Sequence, residues 1–342
     1  MRKLFLHVGA HRTATSSIQS FLHLNTDALI ERGILYPFGV KRHLKQANAV
    51  FSGETTAAVL AETLVKRCDS KGKTIDTVIL SDEDICMRAD LSVFKGLSSQ
   101  FDVKVVFSLR RQDLWLESWY LQNIKWQWNP GLSHVTLDEF MARRAEFFWV
   151  EYNRYVSHLE QVFGRDNVVL GVFERGQMPG GPVAAFCRMA GIGEIAGLTA
   201  APHINSSHSA LISEVMRCLP LDEAPPSFRA TLEQACAAVD RRLDKTPEEE
   251  STLLLGHDQR AELLAQYEPG NAAIAQRYFG RDQLFLDPLP PVDAAIGALE
   301  LPATGREMMD RILAPMIREL IQTHKALPKP LPPGKKPGHK NI

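Results

Sequence analysis

The distribution of apolar and polar positions divides the chain into two regimes. In the first, short apolar runs rich in β-branched and aromatic residues are separated by longer stretches with helical periodicity. Leu4–Val8, Thr77–Leu80, Val103–Leu109 and Asn167–Phe173 are the short runs and read as buried strands. Ser16–Arg32 places apolar residues at Ile18, Phe21, Leu22, Leu29 and Ile30, and Asp113–Trp126 contains neither Gly nor Pro; both read as helices, as does the stretch from the Pro179–Pro182 turn to about Ala190. Strands alternating with helices predict an α/β fold with a mostly parallel sheet flanked by helices. Beyond about residue 175 the strand pattern fades. Ser209–Leu219, Ser227–Leu243, Asp258–Tyr267, Ala272–Phe279 and Arg306–His324 read as helices, the last kinked or broken at Pro315. The expected organisation is an α/β core over 1–190, a mainly helical extension of the same domain over 191–324 and a tail over 325–342. The tail has five lysines, five prolines and no acid, which predicts a disordered or polyproline-like segment.

Composition narrows the function classes. Apolar residues make up 45% of the 342-residue chain, and 39 basic against 40 acidic residues leave a net charge of −1. That is ordinary globular usage and argues against a broad nucleic-acid-binding surface. Five widely spaced cysteines with no CxxC predict neither a zinc knuckle nor a disulfide framework. The N-terminal apolar run stops at His11 and Arg12, too early for a secretory core, and no run approaches membrane-spanning length. A cytoplasmic protein without an integral membrane segment is expected.

Two segments carry candidate chemistry. The first follows strand one: Gly9-Ala10-His11-Arg12-Thr13-Ala14-Thr15-Ser16-Ser17. A helix start offers free amides and the positive end of its dipole to an anion, and Arg12 with the hydroxyl residues adds charge and donors. Counted from Gly9, a Walker A loop needs Gly at Ala14 and Lys at Thr15, so the loop departs from that motif. The second segment leaves strand three. Arg110 is followed eight residues later, along a helix, by Ser118, a spacing at which both can reach one anion.

Taken together, the two segments resemble the sulfotransferases that use 3′-phosphoadenosine 5′-phosphosulfate, the bacterial carbohydrate-type members most of all. Arg12-Thr13-Ala14-Thr15-Ser16 is similar to their phosphosulfate loop, with Arg12 for Lys and Ala14 for Gly, and Arg110 with Ser118 is similar to their 3′-phosphate pair. The likeness covers about residues 3–190. It thins towards 286 through Phe163–Val168, Asn205-Ser206-Ser207 and Tyr278–Phe285. The resemblance implies a P-loop-like fold and in-line transfer of a sulfuryl group, without a metal, to a hydroxyl or amine. The acceptor would be a glycan, a glycolipid or a small molecule. Gly9, His11, Arg12, Thr13, Ala14, Thr15, Ser16, Arg110 and Ser118 would bind the donor, with Arg12 also catalytic. Two residues are candidates for the base. Glu83 sits in Ser81-Asp82-Glu83-Asp84, past the second strand. His43 lies after the first helix, and imidazole suits a base near neutral pH. Arg111 could face substrate or an acid. Trp115, Trp119 and Trp126, at i, i+4 and i+11, would share a face, either for packing or as a sugar-stacking wall. A degenerate P-loop kinase and a non-catalytic relative are the competing readings.

Overall fold

The computed structural model describes residues 1–201 and 207–326. Asn205, Ser206 and the Lys/Pro-rich sequence 327–342 lie outside them. The chain forms two compact units: residues 1–119, 137–206 and 255–294 make the first, and residues 120–136, 207–254 and 295–342 the second. The late segment 255–294 therefore belongs with the first unit. Inside it, Tyr278 donates to Glu160 at 2.7 Å and Arg277 pairs with the same carboxylate at 3.2 Å.

The first unit is built on five strands: β1 (Arg2–His7), β2 (Ile34–Leu35), β3 (Thr77–Ser81), β4 (Phe101–Leu109) and β5 (Val168–Val172). All pairings are parallel and the order is β2-β3-β1-β4-β5. Register places Phe5 beside Ile79 and His7 beside Ser81 and Val106. Phe5, Ile79 and Val106 thus project from one face. They pack with Ile18, Phe21 and Leu22 of α1 (Thr15–Leu24) and with Phe186 of Gly181–Met189. On the other face Phe107 meets Tyr155 of Tyr152–Phe163, with ring centroids 4.8 Å apart. Burial on both faces is why these strands read as continuous apolar runs.

Local departures from the sequence pattern have visible causes. The helix expected over Ser16–Arg32 divides at Asn25 into α1 and α2 (Thr26–Glu31). Asn25 donates to Phe21 O through its side chain at 2.8 Å as well as through its backbone, and exchanges hydrogen bonds with the backbone of Thr199, so its side chain competes locally with the helical ladder. Strand β2, two residues long, gives too little pattern to read. The helix His257–Ile274 carries Pro269 in its interior and runs into a π-helical turn, Ala275–Phe279, so that two expected helices are one element. Likewise the π-helical segment Met308–Leu313 leads into Ala314–Ala326 across Pro315. A wider turn just before Pro315 lets that helix continue past the proline.

Arg260, wholly buried, is the polar anchor of the first unit. It donates to Asp113 at 2.6 Å and to Glu117 at 2.6 Å, and Arg111 donates to Asp113 at 2.8 Å. Arg111 therefore faces an acid. Trp115 and Trp119 stack beside this network, both buried. Trp126 belongs to the second unit and stacks on Trp128, so the tryptophans divide into two pairs. In the second unit His208 lies 3.2 Å from Glu233 and 3.5 Å from Asp240, and Lys125 and Lys245 complete the ion cluster. The helices Ala210–Cys218 and Pro226–Arg242 supply its apolar core through Ile212, Met216, Cys236 and Val239.

Removing Arg260 leaves two carboxylates buried without their shared cation. Arg260→Met should destabilise the chain by about 3–5 kcal/mol, read as a lowered urea midpoint with an unchanged transition slope.

Candidate functional site

The connection after β1 heads towards β2 and β3, and the connection after β4 heads towards β5. The connections therefore leave these two adjacent parallel strands towards opposite edges of the sheet, and the carboxyl ends of strands at such a switch point are where open α/β sheets place ligands. Both candidate segments leave the sheet here.

The loop after β1 is fixed by its carbonyls. Thr13 Oγ1 donates to Ala10 O at 2.6 Å, Trp115 Nε1 to His11 O at 2.8 Å, and Arg110 Nη1 to Arg12 O at 2.6 Å. Three consecutive carbonyls are thus satisfied by side chains, and the loop keeps a defined path without regular structure. That path uses left-handed backbone at Gly9 (φ 61), Arg12 (φ 68) and Ala14 (φ 60). Gly9 has no alternative: a Cβ there would lie 2.8 Å from Thr15 Cγ2 and 3.1 Å from Glu83 Cβ. Ala14 is the residue before α1 and makes no side-chain cap, and the first turn holds no acid. The amides at the start of α1 therefore face neither a capping oxygen nor a carboxylate from that turn.

Arg12, Arg110 and Ser118 come together. Arg12 Nε donates to Ser118 Oγ at 2.5 Å, and Arg110 reaches the backbone of Arg12. Tyr152 fixes the root of Arg110 by accepting from its N–H at 2.9 Å and donating to its carbonyl. Burial lowers the pKa of Arg12, and burial together with the Arg12 charge pushes Arg110 down to about 10. Both remain charged near neutrality, so two desolvated cations stand side by side. An anion between them would relieve both penalties at once.

Across β1, the end of β3 carries the acids. Asp82 takes both donors of Arg42, at 3.1 and 3.0 Å, and Asp84 pairs with Arg42 and with His11 at 3.0 Å each. The basic pair Lys41-Arg42 is thus answered by carboxylates and offers no open positive patch through Arg42. Glu83 is buried; its Oε2 accepts from Gln19 at 2.6 Å, with Arg42 at 3.5 Å. A Cβ on Gly9 would lie 3.3 Å from Glu83 Cα, so this carboxylate shares the sheet edge with the loop. His43 is held differently. Ser81 N–H donates to its Nδ1 at 2.9 Å and its Nε2 lies 2.9 Å from Pro37 O. Both ring nitrogens serve the backbone, the ring packs at a tilt against Tyr36, and burial pushes its pKa down to about 4. This arrangement fixes a neutral tautomer and leaves no nitrogen for an acceptor.

One feature had no counterpart in the sequence reading. A cavity of about 460 Å³ lies against β5 and Gly181–Met189 and is lined by Thr13, Ser108, Phe173, Arg188, Phe279 and Arg281, among others. Its volume is that of a small-molecule site, and Thr13 makes it continuous with the loop. Gly171 of β5 keeps its wall thin, since a Cβ there would lie 2.7 Å from Met189 Sδ. The opposite wall is clipped in place by buried Glu174, which accepts from Leu286 N at 2.7 Å and Asp287 N at 3.2 Å. Glu174 beside Phe173 is the signal that could have flagged it: an acid directly after an apolar strand.

Two outcomes test this geometry. Gly9→Ala should destabilise the chain by about 2–4 kcal/mol, through left-handed strain and overpacking, whereas Ala14→Gly should be neutral or stabilising by up to about 1 kcal/mol; paired chemical melts decide. Stability should also fall with acid. Burial pushes His7 down to about 3 and His43 to about 4, while the unfolded chain binds these protons near 6.5. Between pH 6.5 and about 4 the unfolded state therefore holds more protons, and stability is lost as pH falls through that window. Each histidine contributes a slope of roughly 1.4 kcal/mol per pH unit, and His7→Leu should reduce the measured slope by that amount.

No family model matches the chain. It is similar to an uncharacterized protein from Archaeoglobus fulgidus, 29% identical over 188 residues, which is 54% of this chain and 48% of that protein. The chain thus matches about half the length of that relative, whose name assigns no activity.

Proposed function

We propose that the chain is a sulfotransferase of P-loop-like architecture. It would move a sulfuryl group from 3′-phosphoadenosine 5′-phosphosulfate to a hydroxyl or amine of a carbohydrate, glycolipid or small molecule. The observation that carries this reading is the convergence of Arg12, Arg110 and Ser118, two desolvated guanidiniums and a hydroxyl drawn from segments about a hundred residues apart. A ligand with separated phosphate groups on a nucleoside suits this pair and the cavity beside Thr13 together. The donor brings an activated S–O bond, so the protein need only orient the groups and balance charge.

In this reading Arg110 and Ser118 hold the 3′-phosphate, and the cavity holds the nucleoside. Arg12 and the first amides of α1 hold the phosphosulfate, and during transfer they stabilise negative charge gathering on the phosphate oxygen that leaves sulfur. Glu83 accepts the proton of the attacking hydroxyl as the new S–O bond forms. Gln19 positions its carboxylate through the 2.6 Å hydrogen bond. His43 supports the sheet edge from below, since its nitrogens are already committed.

The roles of the two arginines separate experimentally. Arg110→Ala should weaken binding of 3′,5′-bisphosphoadenosine by about 2–4 kcal/mol. Arg12→Ala should lower radiolabelled sulfate transfer to a glycan panel far more than it lowers that binding. Equal binding by the Arg110 variant, or undiminished transfer by the Arg12 variant, contradicts the assignment.

A further inference from the structure

The second unit holds a buried imidazole that the sheet-edge site does not use. His208 is 5% exposed and sits just before the helix Ala210–Cys218. Its two ring nitrogens meet two carboxylates of one helix. Nε2 lies 3.2 Å from Glu233 and Nδ1 lies 3.5 Å from Asp240. Both acids belong to Pro226–Arg242 and stand seven residues apart, two turns along one face. A neutral imidazole has a single N–H, so it can donate to one carboxylate and must turn a lone pair towards the other. Only the imidazolium offers a proton to both.

The groups around the imidazole keep those carboxylates ionised. Lys125 Nζ is 3.0 Å from Glu233, Lys245 Nζ donates to Asp240 at 2.7 Å, and Ser209 N–H donates to Asp240 at 3.0 Å. The His208 contact, against burial and with help from Lys125, holds Glu233 down to about 2. Burial opposes the charge of Asp240 as well, and His208, Lys245 and Ser209 overcome it, so its carboxyl stays below the ordinary range. Cys236, between the two acids on the same helix, is neutral, since burial pushes its thiol up to about 12. For His208 itself burial disfavours the cation and Lys125 works against it, but Asp240 and Glu233 outweigh both, and the pKa is raised. The same cluster fixes the helix entry. Ser209 Oγ accepts from Ile212 N at 3.3 Å, capping Ala210–Cys218, while Asp240 holds the Ser209 N–H.

We propose that His208 is a proton-operated latch of the second unit. As an imidazolium it ties the entry of Ala210–Cys218 to Pro226–Arg242 through both carboxylates; once its proton leaves, one carboxylate faces a lone pair and the entry loosens. Histidine in the unfolded chain titrates near 6.5, so above that pH the folded unit keeps a proton that the unfolded chain has lost. The contribution of the latch is fully present below about 6.5 and is lost as pH rises through the higher, folded value. That sign is opposite to the one for His7 and His43, whose contributions are lost in acid. The inference does not rest on the transfer reading, because every group in it lies in the second unit.

The test follows the full chain by nuclear magnetic resonance. The His208 imidazole signal, assigned through its own backbone, should titrate above pH 6.5. Amide exchange at Ile212 and Ser213, corrected for its intrinsic pH dependence, should lose roughly tenfold in protection through that titration, the worth of one hydrogen bond to a charged group. His208→Gln should show constant protection over the same range, and Glu233→Gln should move the imidazole titration to lower pH, because one of its two carboxylates is gone. An imidazole that titrates at or below 6.5 overturns the proposal, and this arm needs no variant. So does protection that stays constant through the parent's titration, or a His208→Gln chain that loses protection as the parent does. Sulfate transfer is not read in any arm, so failure here is distinguishable from failure of the proposed activity.

Discussion

Three hydrogen bonds to three consecutive carbonyls, Ala10, His11 and Arg12, hold the loop on which the candidate site depends. One donor comes from the loop itself, one from Trp115 and one from Arg110. The last of these does two jobs, because the guanidinium that fixes the loop is also half of the cationic pair. Loop path and charge placement are therefore one interaction. The left-handed backbone at Gly9, Arg12 and Ala14 follows from it, and such strain persists only where surrounding contacts over-determine it.

The arginines of the first unit differ in their surroundings. Arg260 and Arg111 lie against Asp113 and Glu117, and Arg42 is answered by the acids at the end of β3. Arg110 reaches the backbone of Arg12, and burial together with the Arg12 charge lowers its pKa. This group, with Ser118, stands at the carboxyl ends of adjacent strands, where open α/β sheets place ligands.

Much of this was legible beforehand. The strand ends were visible because doubly buried strands are written as apolar runs, and the eight-residue step from Arg110 to Ser118 could be counted directly. What could not be read has a common cause: it depends on partners distant in sequence. The acid that answers Arg42 lies forty residues further along, at the end of β3. His43 looked like a base until Ser81 and Pro37 took its nitrogens. The cavity is assembled from residues near 13, 108, 170–189 and 279–286, no one of which announces it. Trp126 shared a helix with Trp115 and Trp119, yet it stacks with Trp128 in the other unit. Helical spacing fixes only direction around an axis, not what the helix meets along its length.

The central claim is that the paired guanidiniums of Arg12 and Arg110 and the start of α1, without a metal, make a site for a nucleoside carrying separated phosphates. Calorimetric titration of the unmodified chain tests it most directly, with 3′,5′-bisphosphoadenosine and ATP compared in buffers with and without magnesium. The account predicts one-to-one binding of the bisphosphate that is indifferent to magnesium and tighter than that of ATP. Magnesium-dependent binding of ATP with no measurable affinity for the bisphosphate would contradict it.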